Sequence, residues 1–235
     1  MPTAEEISTL PKLRLDKPPR SCRDELLRPE LFAVVPHVAD IREDVDFKVE
    51  QQLAYEDLPV KLSPDELFAL VAYTYDTKKD TQEGELYYEL NMALRKRKDD
   101  ERKQTLATWG GFLFYLLSAL SKLEDVESVV YRGYPDKATV VKEYKVGRGI
   151  QWGAFSSASR NVDSARKFTN KADGVIFKLT VLAGKAIEAY SFFKSEAEVL
   201  ISPQARFTVS SAPYKGTDGY TYVDMVETKG TVFIS

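Results

Sequence analysis

The chain has one cysteine and one histidine in 235 residues. A lone thiol, Cys22, forbids an intrachain disulfide, and with only His37 beside it no Cys/His zinc cluster can be assembled. A Ser-His-Asp or Cys-His hydrolase would have to use His37, which lies in LFAVVPHVADI, far upstream of every glycine-rich turn. His37 therefore reads as a packed or surface histidine, and Cys22, in the charged stretch RSCRDE, as a surface thiol. Phosphate-binding glycine motifs are missing as well: GRG at 147–149 is a turn signal, unlike GxGxxG or GxxxxGK[ST], which excludes Rossmann and P-loop nucleotide binding. Neither sign of charge dominates. Against 33 Lys+Arg stand 36 Asp+Glu, and KRKDDERK (Lys96 to Lys103) mixes signs, so no nucleic-acid partner is expected. The charge-free run Gln104 to Ser121 carries Thr105, Thr108, Gly110, Gly111 and Ser118. It is too short and too polar to span a bilayer core of about 30 Å, and reads as a buried helix. MPTAEEISTLPK has acidic residues and no apolar core, so no secretory signal peptide is read there.

What remains is a chain that is 43% hydrophobic and 11% aromatic, enough to build a core without metal or disulfide. Residues 1–60 read as an arm, proline-rich at PKLRLDKPPR, ending in short helices around Asp24–Val34. Residues 61–235 read as the working domain. Its first part, about 63–123, is helical. LSPDELFALVAYTYD opens with Ser63 as N-cap, Pro64 at the first helical position and Glu66 completing a capping box. In ELYYELNMALRKR, Leu86, Leu90, Ala93 and Leu94 recur at helical spacing, and a third helix runs from about Thr105 to Leu123. From Val129 the period changes to short segments rich in Val, Ile, Phe, Tyr and Thr: VVYRG, IQWGAFSS, GVIFKLTVL, AIEAYS, AEVLIS, RFTVSS, YTYVDMVE and TVFI. Without a βαβ rhythm, the expected fold class is α+β: a helical subdomain followed by a mixed or antiparallel two-sheet β core.

Any chemistry must then run on carboxylates, hydroxyls, Arg, Lys and Tyr. Read as a strand, AEVLIS puts Glu196 and Glu198 on one face, where each carboxylate disfavours ionisation of the other. Arg132 falls within the apolar strand VVYRG, where a buried guanidinium needs an anion, either a carboxylate or a phosphate. Ser156, Ser157 and Ser159 follow another apolar segment. Singly, each has a plainer reading: solvated glutamates, a structural Arg–Glu pair, a serine-rich turn.

In this order, however, Arg132 in YRG, Ser157-Ala158-Ser159 in FSSAS, and Glu196-x-Glu198 in SEAEVL resemble the R-S-E class of ADP-ribosyltransferases, and the paired glutamates resemble its arginine-specific branch. Tyr87 and Asn91, four apart in LYYELNMALR, match a helical motif of that class. Phe168, eleven residues after Ser157, falls where the family places an aromatic that stacks on nicotinamide. The resemblance covers roughly residues 63–230. It departs from the family's pattern at Ala158, often Thr, and at Lys171, where some relatives carry Arg.

The resemblance implies a mono-ADP-ribosyltransferase that moves ADP-ribose from NAD, its co-substrate, to arginine side chains of a target protein and releases nicotinamide, with no metal. Glu198 would stabilise the oxocarbenium character that develops on the ribose. Ser157 would orient that carboxylate, Arg132 would hold the phosphate and ribose side, Gly133 would bind the nicotinamide amide through its backbone, and Tyr87 and Asn91 would complete the dinucleotide site. Glu196 would hydrogen-bond the acceptor guanidinium and act as general base. Phe192 and Phe193, just before the pair, would touch the target protein or, as core aromatics, merely pack. The alternatives are an NAD glycohydrolase and an inactive binding module on the same fold. One cysteine suits a reducing cytosol, of the producing cell or of a host that receives the protein.

Overall fold

The computed structural model describes residues 14–55, 57–77 and 82–228 of the chain; the start of the arm, up to residue 13, and the expected strand TVFI lie outside them. The described chain forms two compact units, one helical and one strand-rich.

The helical unit holds residues 14–124 together with Ile187–Lys194. Its short first helices are α1 (Cys22–Leu26) and α2 (Pro29–Phe32), separated at Arg28. The remaining helices are α3 (Val38–Tyr55), α4 (Pro64–Tyr73), α5 (Leu86–Leu94) and α6 (Asp99–Lys122). The sequence reading does not foresee α3, an 18-residue helix within the arm. Its buried stripe is Val38, Ile41, Val45, Val49 and Gln52, at helical spacing throughout.

The unit is built around α4, whose residues Glu66 to Tyr73 are all buried. Its start is the predicted capping box, with the Ser63 hydroxyl accepting from the Glu66 N–H and the Glu66 carboxylate accepting from the Ser63 N–H at 2.8 Å. The charge-free stretch is, as expected, the inner part of α6, where Trp109, Phe112, Leu113, Leu116, Ala119 and Leu120 are buried; the helix itself begins earlier, with Asp99, Asp100 and Glu101 in its first turn. Among the described residues no helix is long and apolar enough to cross a membrane. Gly111 on α6 makes room for Glu25, since a Cβ there would lie 2.3 Å from the Glu25 carboxylate. Cys22 is buried beside Glu25 and Leu26, which corrects its reading as a surface thiol: helical spacing places these three on the inner face of α1 and leaves Asp24 exposed. His37 is indeed at the surface, 3.9 Å from Asp40.

The strand-rich unit runs over Asp125–Ala186 and resumes at Ser195. Its strands are β1 (Asp125–Tyr134), β2 (Gly149–Gln151), β3 (Ser156–Ser159), β4 (Val175–Ala186), β5 (Glu198–Ile201), β6 (Arg206–Val209), β7 (Tyr214–Lys215) and β8 (Thr221–Thr228), with helices α7 (Lys137–Glu143) and α8 (Val162–Arg166) between them. Strand order is β1-β3-β5-β4-β8-β6-β2, with β7 on β8 and β1 also paired to β4. All of these pairings are antiparallel except β4–β8. The α+β class with a mixed sheet system is therefore what forms, its strands joined in one eight-stranded sheet in which the long strand β4 pairs with β1, β5 and β8. AIEAYS is not a strand of its own, since β4 ends at Ala186 and the chain turns from there.

Two features shape β4 for these pairings. Gly184 lies so close to β5 that a Cβ would come 2.6 Å from Val199 Cγ1. Opposite Glu127 the register slips, and the consecutive N–H groups of Leu182 and Ala183 donate instead to the buried Glu227 carboxylate, at 2.5 and 3.1 Å. Val130, Phe177, Leu179, Val199, Phe207, Val223 and Met225 fill the core beneath, each at most 1% exposed.

Candidate active site

Three strands of the strand-rich unit bring the predicted residues together. β3 runs antiparallel to β5 with Ser157 opposite Leu200 and Ser159 opposite Glu198, so Ser157 and Glu198 are diagonal neighbours on one face. β1 lies on the other side of β3, with Tyr131 opposite Ser159 and Arg132 next in the chain. Arg132 is half-buried rather than buried. Its Nη1 donates to the Ser157 carbonyl at 2.6 Å, and the guanidinium carbon stands 5.8 Å from the centre of the Trp152 ring, within cation–π range. The expected need for an anion is thus met in part by a backbone carbonyl and an aromatic face.

Glu198 begins β5, half-buried. Burial pushes its pKa above the ordinary carboxylate range, and the neighbouring charge of Glu196 adds to the rise. The hydrogen bond from the Ser157 side chain and the Arg132 charge pull the other way without cancelling it.

The two glutamates are neighbours, but not through strand alternation. Glu196 ends a 3-10 turn, Lys194–Glu196, and β5 starts only at Glu198. Between them Ala197 takes a left-handed conformation, φ 47°, which side chains with a Cβ rarely adopt. β3 holds this turn: the Ser159 hydroxyl donates to the Glu196 carbonyl at 2.6 Å and the Arg160 N–H to that of Ala197 at 3.4 Å. Strained backbone fixed by its neighbours, at the one residue separating two carboxylates, is characteristic of a functional site.

Gly133 follows Arg132, and a Cβ on it would lie 2.2 Å from the Ala165 carbonyl oxygen. Only glycine allows the end of α8 to press onto β1 this closely. Just beyond α8, Phe168 is 58% exposed, while the Thr169 hydroxyl donates to the Tyr134 carbonyl at 3.0 Å. Lys171 stands over Tyr220, 5.3 Å from the ring centre.

The other predicted residues belong to the helical unit. Tyr87 and Asn91 lie four apart on α5. Tyr87 is half-buried, its pKa raised to about 12 by burial and by Asp76 and Glu85. Asn91 is buried; its amide donates to the Tyr73 hydroxyl at 3.0 Å, and its carbonyl oxygen has no hydrogen-bond partner. Phe192 and Phe193 are half-buried, and Phe192 packs edge-on to Tyr75, ring centres 5.3 Å apart.

Sequence reasoning passed over Trp152 and the left-handed Ala197. The first had a signal, a tryptophan directly after a strand, whereas alanine gives no hint of a positive φ.

A sequence model described as NAD:arginine ADP-ribosyltransferase matches residues 28–231. The putative NAD(+)–arginine ADP-ribosyltransferase Mav of Mycobacterium avium is 30% identical over 166 residues, 71% of this chain. The chain spans only 18% of that protein's length. In three dimensions it is similar to the eucaryotic mono-ADP-ribosyltransferase ART2.2, with TM-score 0.63 at 19% identity, covering 93% of this chain and 97% of that one. It is also similar to the ADP-ribosyltransferase Vis of Vibrio splendidus, solved in complex with agmatine, with TM-score 0.54 at 21% identity, covering 83% and 87%.

Proposed function

This chain belongs to the NAD:arginine ADP-ribosyltransferase family, and from that membership we propose that it transfers ADP-ribose from NAD to arginine side chains of a target protein, releasing nicotinamide. The observation that carries the reading is the grouping of Arg132, Ser157, Glu196 and Glu198 on and beside neighbouring strands, with the pKa of Glu198 raised by burial.

The residues present suit a dinucleotide. Arg132 offers a planar cation for the phosphate and ribose side, and Phe168 an exposed ring for nicotinamide. Gly133 supplies backbone without a side chain in the way, and Tyr87 and Asn91 are assigned to the dinucleotide on the family motif. NAD supplies the ribosyl carbon with its neutral leaving group. Glu198 holds negative charge where positive charge develops on that carbon, and Ser157 keeps the carboxylate turned toward it. Glu196 accepts a hydrogen bond from the incoming guanidinium and takes its proton as the new bond forms. Phe192 and Phe193 supply apolar contact to the acceptor protein. No step calls on a metal ion. A reducing compartment, in the producing cell or in a host cell that receives the protein, suits a chain whose single thiol is buried.

Labelled NAD with agmatine as acceptor tests the reading. Transfer of label to agmatine is expected, and a folded protein that transfers none refutes it. Glu196→Gln separates transferase from glycohydrolase: transfer should fall about 100-fold while NAD hydrolysis is retained. Parallel loss of both would remove Glu196 from the acceptor role.

A further inference from the structure

The chain between the sheet and the glutamates, Ile187–Lys194, packs within the helical unit, and three parts of that unit hold it. From α3, the Gln52 amide donates to two successive carbonyls, Ala189 and Tyr190, each at 3.2 Å. Between α3 and α4, Val60 exchanges hydrogen bonds with the Tyr190 hydroxyl, its N–H donating at 3.1 Å and its carbonyl accepting at 3.3 Å. At the end of α4, the Thr74 hydroxyl accepts from the Phe192 N–H at 3.3 Å, and Tyr75 packs on the Phe192 ring.

Gln52 is conspicuous among these. It is fully buried, the only polar member of a stripe otherwise made of Val and Ile, and its carbonyl oxygen has no hydrogen-bond partner among the described residues. For stability alone a leucine would serve better there, because a buried, half-satisfied amide is a burden on the fold. Tyr190 is 1% exposed, and Ser191, fully buried, accepts the Phe193 N–H at 2.9 Å. The chain then passes directly into the turn Lys194–Glu196 and Ala197.

We infer that Gln52 and Tyr190 are positioning residues for acceptor use: they form a polar clamp, built on the helix within the arm, that fixes the base of the segment carrying Phe192, Phe193 and Glu196. The inference deepens the proposed transferase reading and rests on it for the meaning of acceptor. It gives the region before residue 60 a task separate from NAD cleavage, since Arg132 and Ser157 lie on other strands.

Gln52→Leu keeps size and shape while removing both hydrogen bonds. Hydrogen exchange of the amides of residues 191–197 should then quicken about tenfold. The KM for agmatine should rise about tenfold, while kcat/KM for NAD hydrolysis stays within about twofold. Tyr190→Phe removes one hydroxyl and should shift the same quantities in the same direction; it decides the matter if Gln52→Leu does not fold. Unchanged exchange over 191–197, or NAD hydrolysis falling as far as transfer, overturns the clamp. Should the wild-type protein neither transfer nor hydrolyse, the transferase reading fails, and the exchange measurement still decides whether the clamp exists.

Discussion

Each unit contains a glutamate that is buried or half-buried, and the two are driven in opposite directions. In the helical unit, Glu66 accepts from the Ser63 N–H, the Ser118 hydroxyl at 2.6 Å and the Lys122 ammonium at 2.7 Å. Burial alone would raise its pKa, but these donors outweigh it and bring the group down to about 2. In the strand-rich unit, Glu198 has one hydroxyl donor, a like charge beside it and a guanidinium that binds elsewhere, so burial prevails and the pKa rises. The same side chain is held as an anion where three donors meet it, and held toward its proton where burial and a like charge outweigh the donor and cation beside it.

The contrast is sharpest at Glu198 itself. Glu198→Gln should lower both transfer and NAD hydrolysis by at least about 1,000-fold, read with labelled NAD. Its effect on stability has the opposite sign. A carboxylate whose folded pKa is raised holds its proton longer in the folded than in the unfolded state, so its ionisation weakens the fold as pH climbs through that range. The glutamine variant should therefore melt higher than wild type at pH 7, with each kcal/mol appearing as about 2–4 °C. A lower Tm would mean that Glu198 is structurally satisfied, like Glu66.

Glu66→Gln should do the reverse. Its folded pKa is depressed, so its contribution is present above the ordinary value of 4.5 and lost as pH falls toward about 2. We expect a loss of about 3 kcal/mol at pH 7, measured by denaturant unfolding and vanishing across that acid window, with NAD hydrolysis per folded molecule unchanged. A difference that persists at pH 2 would break the comparison.

Smaller changes adjust it. Ser157→Ala removes the one side-chain donor to Glu198 and should lower kcat about tenfold. It should also move the acid limb of the pH–rate profile upward, because the lost hydrogen bond had favoured the carboxylate. Glu196→Gln removes a like charge and should move that limb downward. Smallest of all, Ala197→Gly relieves a left-handed alanine but loosens the unfolded chain, for a net change within about 1 kcal/mol by thermal melting.

The sequence carries the polar core of the site in an orderly way. That Arg132, Ser157 and Glu198 lie on strands was legible, because the apolar run around each is plain. The Ser63 cap was equally plain, because capping is a local interaction spanning four residues. What escaped depends on partners distant in sequence. The stripe of α3 was visible in Val38, Ile41, Val45 and Val49, but its many charges and the prolines upstream gave the whole region the look of an arm. Period-two reasoning placed Glu196 in a strand because nothing in SEAEV announces the turn, which is imposed by Ser159 and Arg160 from β3. Cys22 looked exposed because its sequence neighbours are charged, while helical geometry puts it on the buried face with Glu25 and Leu26.

That sequestered sulfur has a practical use. Burial lifts the Cys22 thiol well above its usual range, and the Cys22 N–H donates to the Asp65 carboxylate at 2.8 Å, tying α1 to the central helix. A maleimide should find nothing to alkylate while the helical unit stays closed, so a cysteine introduced at Phe168 or Phe193 could carry a fluorophore without background. Labelling of the native sulfur would then time the opening of the molecule.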